Sequence, residues 1–157
     1  MKLADIVCFD AIIPQLESKE RDSVIFELTE SLCKKKKFKK VNPKALADAV
    51  IKRENEASTG IGKGVAVPHV KHDAVTEPVA VLGCSSEGID FSSLDKQPVY
   101  SVFLLLSPLS DPDKHLQAME TIFKNLQKDD FRRFLRQAQG RDDIIEAIKD
   151  ADDSSLE

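Results

Sequence analysis

The chain has 157 residues, enough for one domain with a sizeable core. Its 41% hydrophobic and 32% charged residues are the proportions of a folded globular protein and exclude a disordered one. A formal net charge of -4 argues against general nucleic-acid binding, and no apolar run approaches the ~20 residues that span a bilayer. The opening MKLADIVCFD lacks the apolar core of a secretory signal, so a cytoplasmic protein without a membrane span is expected. The three cysteines, Cys8, Cys33 and Cys84, form no CxxC pair and no disulfide framework. They read as small buried hydrophobes rather than nucleophiles.

Taken in chain order, Ser18 is the expected N-cap of a first helix, with Val24, Ile25, Leu28 and Leu32 at helical spacing. This helix ends in a basic run, Lys34 to Lys37 with Lys39 and Lys40. The run reads as a solvated helix end, where cations complement the macrodipole, because Phe38 is the only aromatic nearby. Asn42 and Pro43 supply the cap and first position of a second helix, whose apolar face is Leu46, Ala47, Val50 and Ile51. Arg53 and Glu54 lie at its end. Gly60, Gly62 and Gly64 then free the backbone for φ > 0, and Val65 to Val67 form a short buried strand. Pro68 prevents that strand from continuing as a helix.

Val79 to Cys84 reads as a strand, Gly88 to Pro98 as a connection, and Val99 to Leu106 as a long strand too apolar to be half exposed, hence central. Asp111 and Pro112 open a third helix with the stripe Leu116, Met119, Ile122, Phe123 and Leu126. Phe131, Phe134 and Leu135 continue in a short helix, Gly140 breaks it, and Asp142 to Lys149 makes the last. The pattern predicts an α/β fold: a single domain over residues 1–150 with a mixed β-sheet flanked by helices on both faces. An acidic tail, residues 151–157, has little to bury and is expected to fray.

The chemistry converges on RENEASTGIGKGVAVPH, from Arg53 to His69. His69 follows a strand beside a glycine loop rich in backbone N–H groups, an arrangement suited to an anion such as phosphate. His115 opens the helix after the long strand, and strand ends on one sheet edge converge on a common crevice. Two histidines, Arg53 and loop amides make a phosphoryl site, with a neutral imidazole as nucleophile. From spacing alone, His115 is equally a helix-start residue bonded to nearby backbone, and His72 reads as a surface loop residue. A metal site at His69, His72, Asp73 and His115 is disfavoured, because Pro68 prevents a helix from presenting His69 and His72 together and no HExxH is present. GIGKG lacks both the Walker pattern and GxGxxG, which argues against nucleotide binding.

RENEASTGIGKGVAVPH resembles the active-site signature of the type 2 enzyme IIA domains of the bacterial phosphotransferase system, the mannitol/fructose and nitrogen-regulatory group. LADIV…AIIPQLESKERDSVIFELTESL resembles their first segment and helix, and FLLLSPLSDPDKHLQAMETI their later strand, loop and helix with a second histidine. The resemblance implies a mixed sheet flanked by helices and a phosphohistidine at Nε2 of His69. It implies that Arg53 lies near that histidine and that His115 supports it. The Ser58–Thr59 pair, with Gly60 and Gly62, would support the loop. No cofactor and no metal are implied. Phosphate would come from the phosphohistidine of HPr, or a nitrogen-branch homologue, and pass to a cysteine or histidine of a partner, a IIB protein or a regulatory target. With no IIB cysteine motif and no membrane domain in the chain, a stand-alone, nitrogen-regulatory IIA protein is expected. The alternatives are a fructose/mannitol-type transport IIA and a module that chiefly binds regulatory partners.

Overall fold

The computed structural model describes residues 1–36, 38 and 41–154. Among them the elements in chain order are α1 (Leu3–Ile6), a 3-10 turn (Phe9–Ala11), α2 (Arg21–Lys35), α3 (Pro43–Glu56), β1 (Gly60–Gly62), β2 (Val65–Ala66), β3 (His69–His72), β4 (Val79–Ile89), β5 (Val99–Pro108), α4 (Pro112–Leu126), α5 (Asp129–Gln137) and α6 (Arg141–Ser154). Lys37, Lys39 and Lys40 of the basic run lie outside the described residues, as do residues 155–157.

The sheet is organised around β5, as its unbroken apolar run predicts. β4 lies antiparallel along one edge of it, from Val79 opposite Leu106 to Ile89 opposite Val99. β2 and β3 lie parallel along the other edge in one continuous register, Val65 opposite Ser101 and His69 opposite Leu105. Between them the Pro68 carbonyl accepts from Leu105 N–H at 3.0 Å. β1 folds back antiparallel on β2. The sheet is therefore mixed, and helices cover both faces. Phe103, Leu105, Ala80 and Leu82 pack with α1, α4, α5 and α6, while Val102, Leu104, Leu106 and Val81 pack with α2 and α3. The outer edge of β4 is not open to a second chain. The N-terminal segment bridges it at Ala80, Gly83 and Asp90, with Cys8 N–H donating to Ala80 O at 2.8 Å.

Several expectations change in three dimensions. Ser18 is not the cap of α2: the N-cap is Glu20, with no side-chain cap. The chain stays extended to Glu20 because Glu20 bridges Asp90 at the sheet edge, and Ser18 N–H donates instead to the Glu27 carboxylate at 2.9 Å. Leu116 lies on the outer face of α4, 57% exposed, and the stripe is carried by Ala118, Ile122 and Leu126. Phe134 is exposed as well, while Phe131 and Leu135 are buried. Residues 151–154 of the segment expected to fray are helical, because α6 runs to Ser154. Ala151 and Asp152 are buried, and the Asp152 carboxylate accepts from Leu3 N–H at 2.7 Å and Ala4 N–H at 3.0 Å, capping α1. The three cysteines are free thiols. Cys84 is buried and its thiol is pushed up to about 11 by that burial. No helix among the described residues is long and apolar enough to cross a membrane.

Candidate phosphoryl-transfer site

His69 is the first residue of β3 and lies half-buried. Its Nδ1 is 2.7 Å from the carbonyl oxygen of Val67. A carbonyl only accepts, so Nδ1 carries the proton and Nε2 keeps its lone pair. The ring's pKa is lowered from the usual 6.5, chiefly by burial and further by the positive charges of Arg53 and Lys71, against the hydrogen bond to Val67. His69 is thus a neutral imidazole with a defined tautomer and a lone pair on Nε2.

His115 meets it from α4. Asp111 caps that helix by accepting from Lys114 N–H at 3.2 Å, which sets His115 on the first turn. The two rings lie 5.6 Å apart between centroids, tilted by 40°. Nδ1 of His115 is 2.7 Å from the hydroxyl of Ser107, near the end of β5. Burial, reinforced by the Lys71 charge and by repulsion from the His69 ring when that ring is protonated, pushes its pKa down to about 4. Both rings are neutral at pH 7, so each can serve as a hydrogen-bond donor or as a nucleophile.

Arg53 stands on the last turn of α3 and donates from Nη1 to the Ala57 carbonyl at 3.3 Å. Its charge is close enough to act on the His69 ring. The adjacent Glu54 turns inward and is buried. Its Oε1 accepts from Thr59 N–H at 2.7 Å and from the Thr59 hydroxyl at 3.0 Å, while Oε2 has no hydrogen-bond partner among the described residues. Burial raises the Glu54 pKa against the lowering effect of Thr59, Arg21 and Arg53. The Thr59 carbonyl in turn accepts from Val67 N–H at 3.2 Å. One hydrogen-bonded path therefore runs from Glu54 through Thr59 and Val67 to the His69 ring.

The glycine loop has a different construction from the open amide cradle expected of it. Gly62, Lys63 and Gly64 have φ of 93°, 59° and 77°, and they form the turn between β1 and β2. Three of the loop amides are taken by protein groups: Thr59 N–H by Glu54, Gly60 N–H by the Ser58 hydroxyl at 3.0 Å, and Lys63 N–H by Asp95 at 3.1 Å. The Ser58 hydroxyl donates to the Phe91 carbonyl. Gly60 is required by contact, since a Cβ there would lie 2.3 Å from Ser93 Oγ. Ser58, Thr59, Gly60 and Gly62 thus hold the backbone that carries Val67 and His69. His72 lies at the end of β3, where its Nδ1 accepts from Ala74 N–H at 3.0 Å. Among the described residues no three His, Cys, Asp or Glu side chains converge as a metal-ligand set.

The sequence points to the two histidines and the arginine that the fold brings together, but not to Glu54, Ser107 or Lys71 beside them. The available signals were an acidic residue beside Arg53 and a single hydroxyl closing the run VFLLLSP.

The family model described as "Phosphoenolpyruvate-dependent sugar phosphotransferase system, EIIA 2" matches residues 7–151. The chain belongs to this family. It is 35% identical over 152 residues to the fructose-specific EIIABC component of Bacillus subtilis, an alignment covering 97% of the chain and only 24% of that protein. It is 30% identical over 148 residues to the nitrogen regulatory protein of Bradyrhizobium diazoefficiens, covering 94% of the chain and 95% of that protein. The fold matches the crystal structure of the nitrogen regulatory protein IIA-Ntr of Neisseria meningitidis with a TM-score of 0.84 at 21% identity, over 93% of the chain and 98% of that one. It also matches the complex of enzyme IIAMTL and phosphorylated enzyme IIBMTL of Escherichia coli, with a TM-score of 0.75 at 19% identity, over 90% and 95%. This EIIA 2 chain therefore shares the mixed-sheet fold of its relatives and spans about a quarter of the multidomain fructose component.

Proposed function

We propose that this EIIA 2 protein carries a phosphoryl group on Nε2 of His69, accepts it from the phosphohistidine of an HPr-type protein, and passes it to a partner. The observation that carries the reading is the bond from His69 Nδ1 to the Val67 carbonyl, which leaves Nε2 as the lone-pair nitrogen. In the transfer that lone pair attacks phosphorus. The N–P bond of the donor breaks, and its electron pair returns to the donor's imidazole nitrogen. The His69 ring then carries a positive charge, which the Val67 carbonyl stabilises through the retained Nδ1–H. Donor and acceptor bonds are alike, so the site needs only to position the phosphoryl group and neutralise its oxygens. Arg53 and His115 are the groups for that task, and Lys71 adds a further charge acting on both rings. Ser58, Thr59, Gly60 and Gly62 hold the loop.

The reading places the protein in the cytoplasm, in the nitrogen-regulatory branch. Its support is the relative named a nitrogen regulatory protein, aligned along nearly the full length of both chains. A transport role, with a IIB protein as acceptor, is the second reading, favoured by the 35% identity to a fructose-specific component and by a fold relative seen with phosphorylated IIBMTL. In the regulatory role the output is charge, since a phosphoryl group adds up to about two negative charges at His69.

The test is incubation with phosphorylated HPr, or its nitrogen-branch homologue, and mapping of the label. A label that persists in His69→Ala sinks the assignment. His115→Ala and Arg53→Ala are expected to slow transfer by about 10²–10³-fold, and wild-type rates in both would remove their roles. Rapid passage of phosphate to a sugar-specific IIB protein, with the same lysate partners before and after phosphorylation, selects transport over regulation.

A further inference from the structure

We infer that Ser107 is a positioning residue that holds His115 in its Nε2–H tautomer, so that the second histidine presents a donor, not a lone pair, to the phosphoryl oxygens. The inference rests on the phosphoryl-carrier reading of His69 and adds the device that makes two chemically identical side chains take opposite parts.

The reasoning follows a single proton. Ser107 is fully buried on β5, after a run from Val102 to Leu106 that is fully buried and apolar. Its hydroxyl lies 2.7 Å from His115 Nδ1, and among the described residues this is the hydrogen bond of that side chain. A serine hydroxyl has one proton to give. If Nδ1 of His115 were protonated, Ser107 would accept and its own proton would sit in the core without an acceptor, at the cost of an unmade buried hydrogen bond. If Ser107 donates, both groups are satisfied, Nδ1 is the acceptor, and the ring's proton lies on Nε2. The ring is neutral at pH 7, as its burial beside His69 and Lys71 dictates, so a tautomer must be chosen.

The partner ring is set the other way by the same logic. His69 Nδ1 faces a carbonyl, which accepts only, so its proton is on Nδ1 and its lone pair on Nε2. With ring centroids 5.6 Å apart, the pair then offers one nucleophile and one donor. A lone pair on both Nε2 atoms would instead repel the phosphoryl oxygens.

Long-range 1H–15N spectra of uniformly labelled protein at pH 7 read each tautomer directly. The expected result is a protonated Nε2 and bare Nδ1 for His115, with the reverse for His69. A protonated Nδ1 on His115 overturns the inference. Ser107→Ala removes the hydroxyl and should turn the His115 signals into those of a tautomer mixture, with transfer to His69 slowed about two- to tenfold, the worth of one neutral hydrogen bond. Ser107→Thr keeps the hydroxyl and should restore both. An unchanged 15N pattern in Ser107→Ala also overturns the inference. Should that variant fail to fold, the wild-type spectrum alone decides. Failure of wild-type His69 to take label would sink the carrier reading, while the spectrum reads the His115 tautomer whether or not phosphate is transferred.

Discussion

Acidification should cost this protein stability at His115. In the unfolded chain the ring takes up a proton near the usual 6.5, whereas in the folded protein burial holds its pKa down to about 4. Between those values the unfolded state binds the extra proton, so stability rises with pH across the window. The contribution is complete above pH 6.5 and is lost as the pH falls toward 4. The full shift corresponds to an upper bound of about 3 kcal/mol at about 1.36 kcal/mol per pH unit. The ring is only half-buried, and solvent screening reduces this to about 1–2 kcal/mol. For a chain of this size that is a loss of about 2–8 °C in Tm. Thermal melts of the wild type and His115→Ala, from about pH 7 to about pH 4.5, isolate the effect. The variant carries a constant offset from the lost Ser107 hydrogen bond, and carboxylates titrate in both proteins. The gap between the two curves should therefore narrow in the variant's favour on acidification. Parallel curves, or a His115 NMR titration with its midpoint near the usual 6.5, would refute the reasoning.

Three further substitutions probe the framework. Glu54→Ala leaves the buried N–H and hydroxyl of Thr59 without an acceptor and should cost about 2–4 kcal/mol in urea unfolding, with slower phosphorylation of His69 through the loosened Thr59–Val67 path; an unchanged midpoint would show that this path does not hold the site. Gly60→Ala forces a Cβ to within 2.3 Å of Ser93 Oγ and 3.0 Å of its Cα, so about 1–3 kcal/mol of overpacking is expected. Adding Ser93→Ala should recover part of that loss, because it removes the nearer atom. Asp152→Ala uncaps α1 and should lower stability by about 1–2 kcal/mol, while leaving phosphorylation at His69 intact; equal melts of wild type and variant would show that its two hydrogen bonds hold nothing in place.

The parts of this protein legible in the sequence are those whose cause is local. The Asn42–Pro43 and Asp111–Pro112 helix starts are set by a side chain and the backbone three residues on, and both form as read. The central place of β5 follows from a long run with scarcely a polar interruption, because only a strand covered on both faces can bury it. Arg53, His69 and His115 stand out because their neighbours in the chain are distinctive. What sequence could not decide depends on partners distant along the chain. Leu116 sits at helical spacing with the core residues, but the sheet lies under the other side of α4, and spacing does not say where a helix is pressed. Ser18 has the chemistry of a cap, but the bridge between Glu20 and Asp90 keeps the chain extended.

The site divides in the same way. Composition identifies its histidines, while their tautomers are set by a carbonyl two residues from one ring and a hydroxyl eight residues from the other. The first of these requires β2 and β3 to run as one strand with Pro68 inside it. The second requires the end of β5 to lie beneath the first turn of α4. Asp152 belongs by composition to a loose acidic tail, yet it is buried, because folding brings the two chain ends together and α1 has orphan N–H groups to satisfy. Sequence names the groups that can react. The direction each nitrogen faces, and which of them holds the proton, is decided by hydrogen-bond partners that only the folded chain brings within reach.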